Sequence, residues 1–230
     1  MRSSTVLQLS HFPTFDKALN HPVNHVLIQF YRTGADYISD HSDKTVDVVR
    51  GSNIVNVSLG AQRTMTLRQK RDRKPKGDAV PDGEPAASAA APTAAAAAAS
   101  TAGGTPRDAQ RIPLPHNSMF VMGPQTNAKW LHGINHDNRP FKLKSPAEQS
   151  NGGARISLTF RHIGTFMSAG DGARIWGQGA RGKTRDEAGL VSRDQAEVER
   201  LLLAFGEENQ LSEFDWDARY GGGFDVLHFS

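Results

Sequence analysis

The segment RISLTFRHI, from Arg155 to Ile163, is predicted to be a β-strand, because its first seven residues, RISLTFR, alternate polar and apolar residues with the period of two that is typical of a strand. Side chains two positions apart lie on the same side of a strand, so the apolar side chains share one face: Ile156, Leu158 and Phe160. The polar side chains share the other face: Arg155, Ser157, Thr159 and Arg161. Two arginines on one face indicate either the outer surface of a sheet or, over roughly 20 Å of extended strand, two groups that bind a short dicarboxylate at its two ends.

Four other short segments are rich in β-branched and aromatic residues. They are HVLIQFY (His25 to Tyr31), NIVNVSLG (Asn53 to Gly60), TMTLRQ (Thr64 to Gln69) and SMFVMG (Ser118 to Gly123). Because Gly, Asn and Pro residues separate these segments, the spacing predicts a β-sandwich or barrel.

Helix patterns are confined to the two ends of the chain. A weak pattern lies at TFDKALN, from Thr14 to Asn20. A stronger one begins where Ser192 and Gln195 match a capping box, and Gly206 is its predicted end. Between them, apolar residues recur at helical spacing: Val198, Leu201, Leu202 and Phe205.

Length and composition favour one domain and exclude several kinds of chemistry. A chain of 230 residues with 37% hydrophobic content supports one core, with room for an insertion. The absence of cysteine excludes disulfides, zinc fingers and thiolate catalysis, and a net charge of +3 permits a polyanionic partner without requiring one. With no signal-peptide pattern and no run of about 18 apolar residues, we expect no membrane span and an intracellular protein, cytoplasmic or nuclear. The oligomeric state stays open.

One stretch of low complexity interrupts the β pattern. Residues Pro85 to Pro106 are mostly alanine, with Pro and Gly that break a helix and no large apolar groups that form a core, so we expect a disordered loop inserted in the core. The basic run RQKRDRKPK, Arg68 to Lys76, precedes it. This run fits either a solvated strand end or a contact with nucleic acid, and a nuclear-import signal is a further reading.

His41 and Asp43 are candidate metal ligands at the end of a strand pattern. Residues two apart lie on one side of an extended strand, so the imidazole and the carboxylate can converge on one ion. Such pairs also arise by chance. A third candidate is His132, 89 residues beyond Asp43, although a lone histidine beside Trp and Leu is more often part of a core.

Taken in order, these segments resemble the AlkB-like Fe(II)/2-oxoglutarate-dependent dioxygenases. In that family an N-x-Y strand lies ten residues before H-x-D, an SLG strand and a W-x-H motif follow, and R-x-N-L-T-F-R closes the signature. This chain has Tyr31 ten residues before His41, and then SLGAQRTMTLR, WLH and RISLTFR. The resemblance covers roughly Asn24 to Thr165.

The resemblance implies a mainly β fold with flanking helices around a double-stranded β-helix (jelly-roll) core. We expect a single domain over residues 1–230, with its core at about 24–165, the insert at about 85–106 and a C-terminal helical extension at about 184–230. The implied iron ligands are His41, Asp43 and His132. The implied cosubstrates are 2-oxoglutarate and O2, and the residues around 2-oxoglutarate are Gln29, Tyr31, Arg155, Ser157, Thr159 and Arg161.

Several positions depart from the family pattern. Gln29 and Ser157 stand where the family has asparagines, and Thr45 stands where it has an acid that faces the alkylated base. Asp47 is a candidate replacement for that acid. Only about 25 residues precede the first core strand, where the family has a long nucleotide-recognition lid. Despite these departures, the resemblance makes oxidative demethylation of N-alkylated nucleic-acid bases the leading function. The alternatives are a same-fold oxygenase acting on a small molecule and a metal-binding jelly-roll module without activity.

The segment GQGARGKT, Gly177 to Thr184, also matches the phosphate-binding loop pattern G-x-x-x-x-G-K-[ST]. Such a loop joins a buried strand to a helix in a parallel sheet. Since too little chain follows Thr184 to build that sheet, we expect an ordinary Gly-rich loop here.

Overall fold

The computed structural model of the chain describes residues 5–8, 19–72, 109–169 and 172–228. In chain order, the strands of this part are β1 Thr5–Gln8, β2 His25–Tyr31, β3 Ile38–His41, β4 Ile54–Gly60, β5 Arg63–Gln69, β6 Ala109–Leu114, β7 Ser118–Met122, β8 Trp130–Ile134, β9 Arg155–Arg161, β10 Thr165–Met167, β11 Arg174–Gly177 and β12 Gly189–Leu190. The α-helices are α1 Pro124–Lys129, α2 Pro146–Gln149, α3 Gln195–Gln210 and α4 Trp216–Tyr220. Short 3-10 turns lie at Phe141–Leu143, Ser150–Gly153 and Arg185–Glu187.

Two antiparallel sheets form the core. One has the strand order β1-β7-β4-β9-β2 and the other has the order β3-β8-β5-β6. A buried cluster takes apolar side chains from both sheets: Tyr31, Ile54, Met65, Leu67, Leu114, Phe120, Met122 and Ile134. This arrangement confirms the predicted mainly β jelly-roll fold.

Strand β4 is buried on both faces, and this explains why most of its residues are apolar. Val55 and Val57 belong to a second cluster with Leu19 and Met119 on the outer side of the five-stranded sheet. The alternate residues Ile54, Asn56 and Ser58 are also buried, but they face the other sheet. Polar residues on that inner face therefore lie inside the core, where each needs a partner.

Strand β9 lies between β2 and β4, and its register fixes where the two arginines fall. Arg155 lies opposite Tyr31 on one side and Gly60 on the other, while Arg161 lies opposite His25 at the other end. Gly60 has φ of +93°, and a Cβ there would come within 2.4 Å of the Ala154 carbonyl oxygen. Only glycine allows this close approach beside Arg155.

Helix α3 differs from its sequence prediction at both ends. Its N-cap is Asp194, whose carboxylate accepts a hydrogen bond from the Ala196 N–H. Ser192, the predicted cap, lies two residues earlier, and its hydroxyl accepts a hydrogen bond from the Asp194 N–H. The helix also continues past Gly206 to Gln210. The additional turn carries Glu208, which is buried and whose carboxylate accepts hydrogen bonds from Thr45 and Tyr220, and these contacts stabilise the helix beyond Gly206.

The chain after β9 forms a small three-stranded sheet, β10-β11-β12, before helices α3 and α4. The helices pack on the chain that follows β3, in a cluster of Val46, Leu201, Ala204, Phe205, Tyr220, Phe224 and Val226. The expected helical extension at 184–230 thus contains two helices and also the short strand β12. No helix in the described part of the chain is long and apolar enough to cross a membrane.

Residues Gly177 to Thr184 do not have the geometry of a phosphate-binding loop. They lead from β11 to a 3-10 turn, and the Lys183 Nζ donates to the carbonyl oxygens of Gln178 and Ala180. The predicted insert at 85–106 and most of the predicted helix at 14–20 lie outside the described residues. The basic run is described only as far as Asp72.

A buried ion pair attaches the C-terminal segment to the chain after β3. The Nδ1 of His228 lies 2.6 Å from Oδ1 of Asp47, and its Nε2 lies 3.1 Å from the Phe224 carbonyl oxygen. Burial lowers the pKa of His228, but the hydrogen bond and charge of Asp47 raise it by more, so the net pKa lies above 6.5. Both ring nitrogens face acceptors, which the imidazolium form satisfies.

We predict that this pair makes stability depend on pH. A raised folded-state pKa contributes stability that is complete below the unfolded pKa and is lost as pH rises through the folded value. The difference in Tm between the wild-type protein and His228→Gln should therefore be largest near pH 6 and shrink toward pH 9. Thermal unfolding of both proteins over this range measures it, and a difference that stays constant with pH would contradict the prediction.

Candidate active site

Three potential metal ligands meet at one end of the core. The register of β3 and β8 places His41 directly opposite His132, and Asp43 follows two residues after β3 ends. The Nε2 atoms of His41 and His132 lie 3.7 Å and 3.5 Å from Oδ1 of Asp43. One ligand atom from each residue lies within 4.8 Å of the others, so the three can hold a metal ion.

The two imidazoles differ in their hydrogen bonds. The Nδ1 of His41 lies 2.8 Å from the Ser39 carbonyl oxygen, which places the proton on Nδ1 and leaves Nε2 free to face Asp43. Burial and then the neighbouring His132 lower the pKa of His41, and this favours the neutral imidazole that a metal binds. The Nδ1 of His132 is buried and has no hydrogen-bond partner within the described residues.

Asp43 is fixed by partners from two directions. Its backbone N–H donates to Oδ1 of Asn127, and Nδ2 of Asn127 donates back to its carbonyl oxygen, each over 2.8 Å. The Nε and Nη2 of Arg161 donate to Oδ2 over 2.9 and 2.7 Å, so Oδ1 faces the histidines. Burial raises the pKa of Asp43, but His132 and Arg161 together hold it well below its usual range, so the carboxylate is ionised.

A cavity between the two sheets starts at these residues and ends at Arg155. Its described lining is Leu27, Gln29, Tyr31, Ile38, His41, Asp43, Ile54, Asn56, Met65, Phe120, Met122, His132, Gly133, Ile134, Arg155, Ser157, Thr159 and Arg161. The sequence prediction that the polar face of β9 carries a binding site is consistent with this lining. Asp43 is the only acid in this set.

Arg155 is a buried cation at the inner end of the cavity. It is 1% exposed, and its Nη2 donates to Oδ1 of Asn56 and to the hydroxyl of Ser58. Its Nε and Nη1 have no hydrogen-bond partner among the described residues. Burial lowers the pKa of Arg155 to about 10, so the guanidinium stays charged at neutral pH. A buried cation with free donors is costly unless an anion binds it.

Asn56 and Ser58 belong to the site but were not identified from the sequence. Asn56 Nδ2 donates to the hydroxyls of Ser157 and Thr159 over 2.6 and 3.0 Å, so one amide connects both residues with Arg155. The signal was present, because alternation within NIVNVSLG puts Asn56 and Ser58 on one face of an otherwise apolar strand. A polar pair on the inner face of a buried strand indicates a binding site.

Thr45 and Asp47 lie outside the cavity lining. The backbone N–H of Thr45 donates to the Glu208 carboxylate over 3.0 Å, and its hydroxyl donates to the same group. Asp47 is bound to His228. Both side chains thus contact the C-terminal segment, and the acid nearest to Thr45 is Glu208, whose pKa is raised by burial.

The C-terminal segment also positions the loop after β3, residues 42–49, through its backbone. The N–H of Ser42 donates to Oδ1 of Asn209 over 2.8 Å, and Nε2 of Gln178 donates to the carbonyl oxygens of Val46 and Val48. The indole N–H of Trp216 donates to the Thr45 carbonyl oxygen over 3.3 Å. Asp43 therefore lies in a loop whose path depends on residues more than 120 positions away.

The model of the 2OG-Fe(II) oxygenase superfamily matches residues 5–161. This match covers well over half of the chain and ends at Arg161, the last polar residue of the site. The chain belongs to this superfamily.

Curated relatives are AlkB-like proteins. The chain is 29% identical over 143 residues to the DNA oxidative demethylase ALKBH2 of Mus musculus, across 61% of this chain and 43% of that protein. It is 29% identical to the ALKBH2 of Homo sapiens, across 61% of this chain and 40% of that protein. It is 26% identical to the alpha-ketoglutarate-dependent dioxygenase alkB homolog 3 of Mus musculus, across 63% of this chain and 38% of that protein. The AlkB-like resemblance is confirmed, and the chain spans less than half the length of these relatives.

We predict that Asn209 supports metal binding without contacting the ion. Asn209→Ala removes the hydrogen bond to Ser42, one residue before Asp43, so the loop becomes less ordered and affinity for Mn(II) should fall by roughly tenfold. Titration calorimetry with Mn(II) in place of iron measures this affinity. The control is Gln210→Ala, an exposed neighbour on the same helix, which should bind Mn(II) like the wild-type protein. Equal affinities for both variants would contradict the prediction.

Proposed function

We propose that the protein is an AlkB-like dioxygenase that uses Fe(II), 2-oxoglutarate and O2. One observation carries this proposal: the cluster of His41, Asp43 and His132 lies at one end of a cavity, and Arg155, whose Nε and Nη1 have no hydrogen-bond partner among the described residues, lies at the other end. A cosubstrate with a chelating end and a carboxylate end fits such a cavity. We take residues 1–230 as one catalytic domain, with its core at about 24–165 and its extension beyond the core.

His41, Asp43 and His132 would hold the iron. Two imidazoles and one carboxylate form the facial set that leaves three positions of Fe(II) open for other ligands. The donor set fits because His41 is oriented by Ser39 and Asp43 is ionised. Arg161 and Asn127 fix the direction of the carboxylate, which supports binding through Oδ1.

The inner half of the cavity would bind 2-oxoglutarate. Arg155, with its free Nε and Nη1, would bind the distal carboxylate, and the Tyr31 ring lies beside it, 5.1 Å from the guanidinium carbon. The hydroxyls of Ser157 and Thr159 and the amide of Gln29 line the path toward the metal ligands. Arg161 lies at the metal end, where it balances the charge of Asp43 and of the chelating carboxylate.

When held by these residues, iron, 2-oxoglutarate and O2 would supply the oxidation: 2-oxoglutarate would be converted to succinate and CO2, with one oxygen atom entering succinate and the other a substrate C–H bond. For an N-methyl group the product is a hydroxymethyl amine, which releases formaldehyde and the unmethylated base. The chain's own residues bind and orient the reactants, and this last step needs no acid or base from the protein.

We propose alkylated nucleic acid as the substrate, in the cytoplasm or the nucleus. The names of the ALKBH2 relatives, DNA oxidative demethylase, support this choice. A small-molecule substrate is the second candidate. Thr45 favours this candidate, because in the family an acid at this position faces the alkylated base. Here the residue is a threonine, and its hydroxyl donates a hydrogen bond to Glu208.

The proposed iron and 2-oxoglutarate chemistry predicts the effect of removing each metal ligand. His41→Ala, Asp43→Ala and His132→Ala should each abolish the conversion of 2-oxoglutarate to succinate, because each removes a metal ligand. His136→Ala is the matched control, an exposed histidine four residues after His132, and it should keep wild-type turnover. Arg155→Lys should raise the KM for 2-oxoglutarate by tenfold or more, since lysine lacks the planar fork. Succinate production by a metal-loaded His132→Ala protein would disprove the ligand assignment.

The charge of the cavity predicts which methylated bases react fastest. Asp43 is the only acid in the described cavity lining and it is paired with Arg161, so little negative charge is available to a cationic base. We expect neutral bases such as 3-methylthymine or 1-methylguanine to react at least as fast as cationic 1-methyladenine or 3-methylcytosine. Formaldehyde release from methylated single- and double-stranded oligonucleotides measures this order. Strong preference for the cationic bases would refute it, and succinate production without formaldehyde from any oligonucleotide would favour the small-molecule substrate.

A further inference from the structure

The small sheet β10-β11-β12 presents an aromatic surface to solvent. Phe166 and Trp176 are directly opposite each other on β10 and β11, so their rings share one face of the sheet. The ring centroids lie 6.1 Å apart with 29° between the ring planes. Leu190 on β12 lies on the same face, and Phe166 and Leu190 are 45% and 58% exposed. We call Phe166, Trp176 and Leu190 the aromatic face.

Positive charge surrounds this face. Arg174 lies opposite Leu190 and two residues before Trp176, so its side chain starts from the aromatic face. The guanidinium of Arg185 lies 6.0 Å from the centroid of the Trp176 ring. Residues 172–193 contain five cations and two acids, but Arg181 is paired with Glu197 and Lys183 donates to carbonyl oxygens of its own loop, so Arg174 and Arg185 are the cations placed beside this face. One of these acids, Glu187, accepts hydrogen bonds from the N–H groups of Lys183 and Thr184. The surface therefore suits an anionic partner with flat rings.

The aromatic face is close in the chain to the candidate active site. Phe166 follows Arg161 by five residues, which an extended chain spans in at most roughly 17 Å. The sheet is also fixed to the loop after β3, since the Gly164 N–H donates to the Asp47 carbonyl oxygen and Nε2 of Gln178, the residue after β11, donates to the carbonyl oxygens of that loop. A nucleic-acid strand whose reacting base enters the cavity can reach this face within a few nucleotides.

We propose that the aromatic face binds the unpaired nucleotides that flank the reacting base. Bases stack on Phe166 and Trp176, Leu190 adds apolar contact, and Arg174 and Arg185 contact phosphates. Aromatic rings beside arginines on an open sheet are the chemistry by which proteins bind single strands without reading their sequence. This proposal rests on the proposed function in taking nucleic acid as the substrate, and it assigns the binding to residues beyond the matched superfamily region, which ends at residue 161.

The test is binding of an unmethylated, fluorescein-labelled 12-nucleotide thymidine strand to the full chain, followed by fluorescence anisotropy. Phe166→Ala and Trp176→Ala should each weaken binding by about tenfold, the effect expected when one base loses its stacking partner. Trp176→Phe retains an aromatic ring and should bind within about threefold of the wild-type protein. Leu203→Ala is the control, an exposed apolar side chain on α3, and it should leave the affinity unchanged. Production of succinate without nucleic acid should be equal in all four variants.

The outcomes separate this proposal from the proposed function. If both alanine variants bind the strand as tightly as the wild-type protein, the aromatic face is not the binding surface, whatever the enzyme demethylates. If sedimentation shows a wild-type dimer that Phe166→Ala dissociates, the face contacts a second copy and the proposal is overturned. If the variants lose binding while no methylated oligonucleotide yields formaldehyde, the binding surface stands and demethylation of nucleic acid fails.

Discussion

The ion pair between Arg161 and Asp43 is the interaction on which the site depends. It joins the end of β9, in the five-stranded sheet, to the loop after β3, which leaves the four-stranded sheet. Because the guanidinium takes Oδ2, the other oxygen of Asp43 is directed at His41 and His132. Breaking a buried pair leaves one charge without a partner, which costs several kcal/mol. The same pair therefore connects the two sheets and orients a potential metal ligand.

The buried charge of Arg155 is the second constraint, and β4 provides its partners. Asn56 and Ser58 occupy the inner face of a strand whose outer face is purely apolar, so the fold gives up hydrophobic contacts there to hold a guanidinium. Yet within the described part of the chain, only one of its three nitrogens has a hydrogen-bond partner. A buried cation with unpaired donors costs free energy, and an anionic ligand in the cavity would lower that cost, which is why this residue carries so much of the functional proposal.

The segment after Arg161, beyond the matched superfamily region, holds the loop that carries Asp43. Helix α3 and the residues around it bind the loop of Asp43 through Asn209, Glu208 and Trp216. Thr45, which departs from the family pattern, is explained by this packing, since its hydroxyl serves the buried Glu208 rather than a substrate. The same segment carries the small sheet with its exposed aromatic face. The geometry of this loop and the nucleic-acid contact that we propose thus both depend on the chain after Arg161.

The sequence by itself determined where β2, β4, β5, β7 and β9 lie and which three residues form the candidate metal cluster, whereas β1, β6 and β8 were not predicted. Alternation is a local property, so β2 was predicted at its observed limits and β9 to within two residues, and the order of motifs brought His41, Asp43 and His132 into one hypothesis. Only the tertiary structure decided the partners of Thr45, Asp47 and Arg155, and the end of α3 beyond Gly206. The physical reason is that each of these depends on contacts between residues about 100 or more positions apart, whose meeting is set by how the sheets and helices pack and leaves no periodic pattern in the chain.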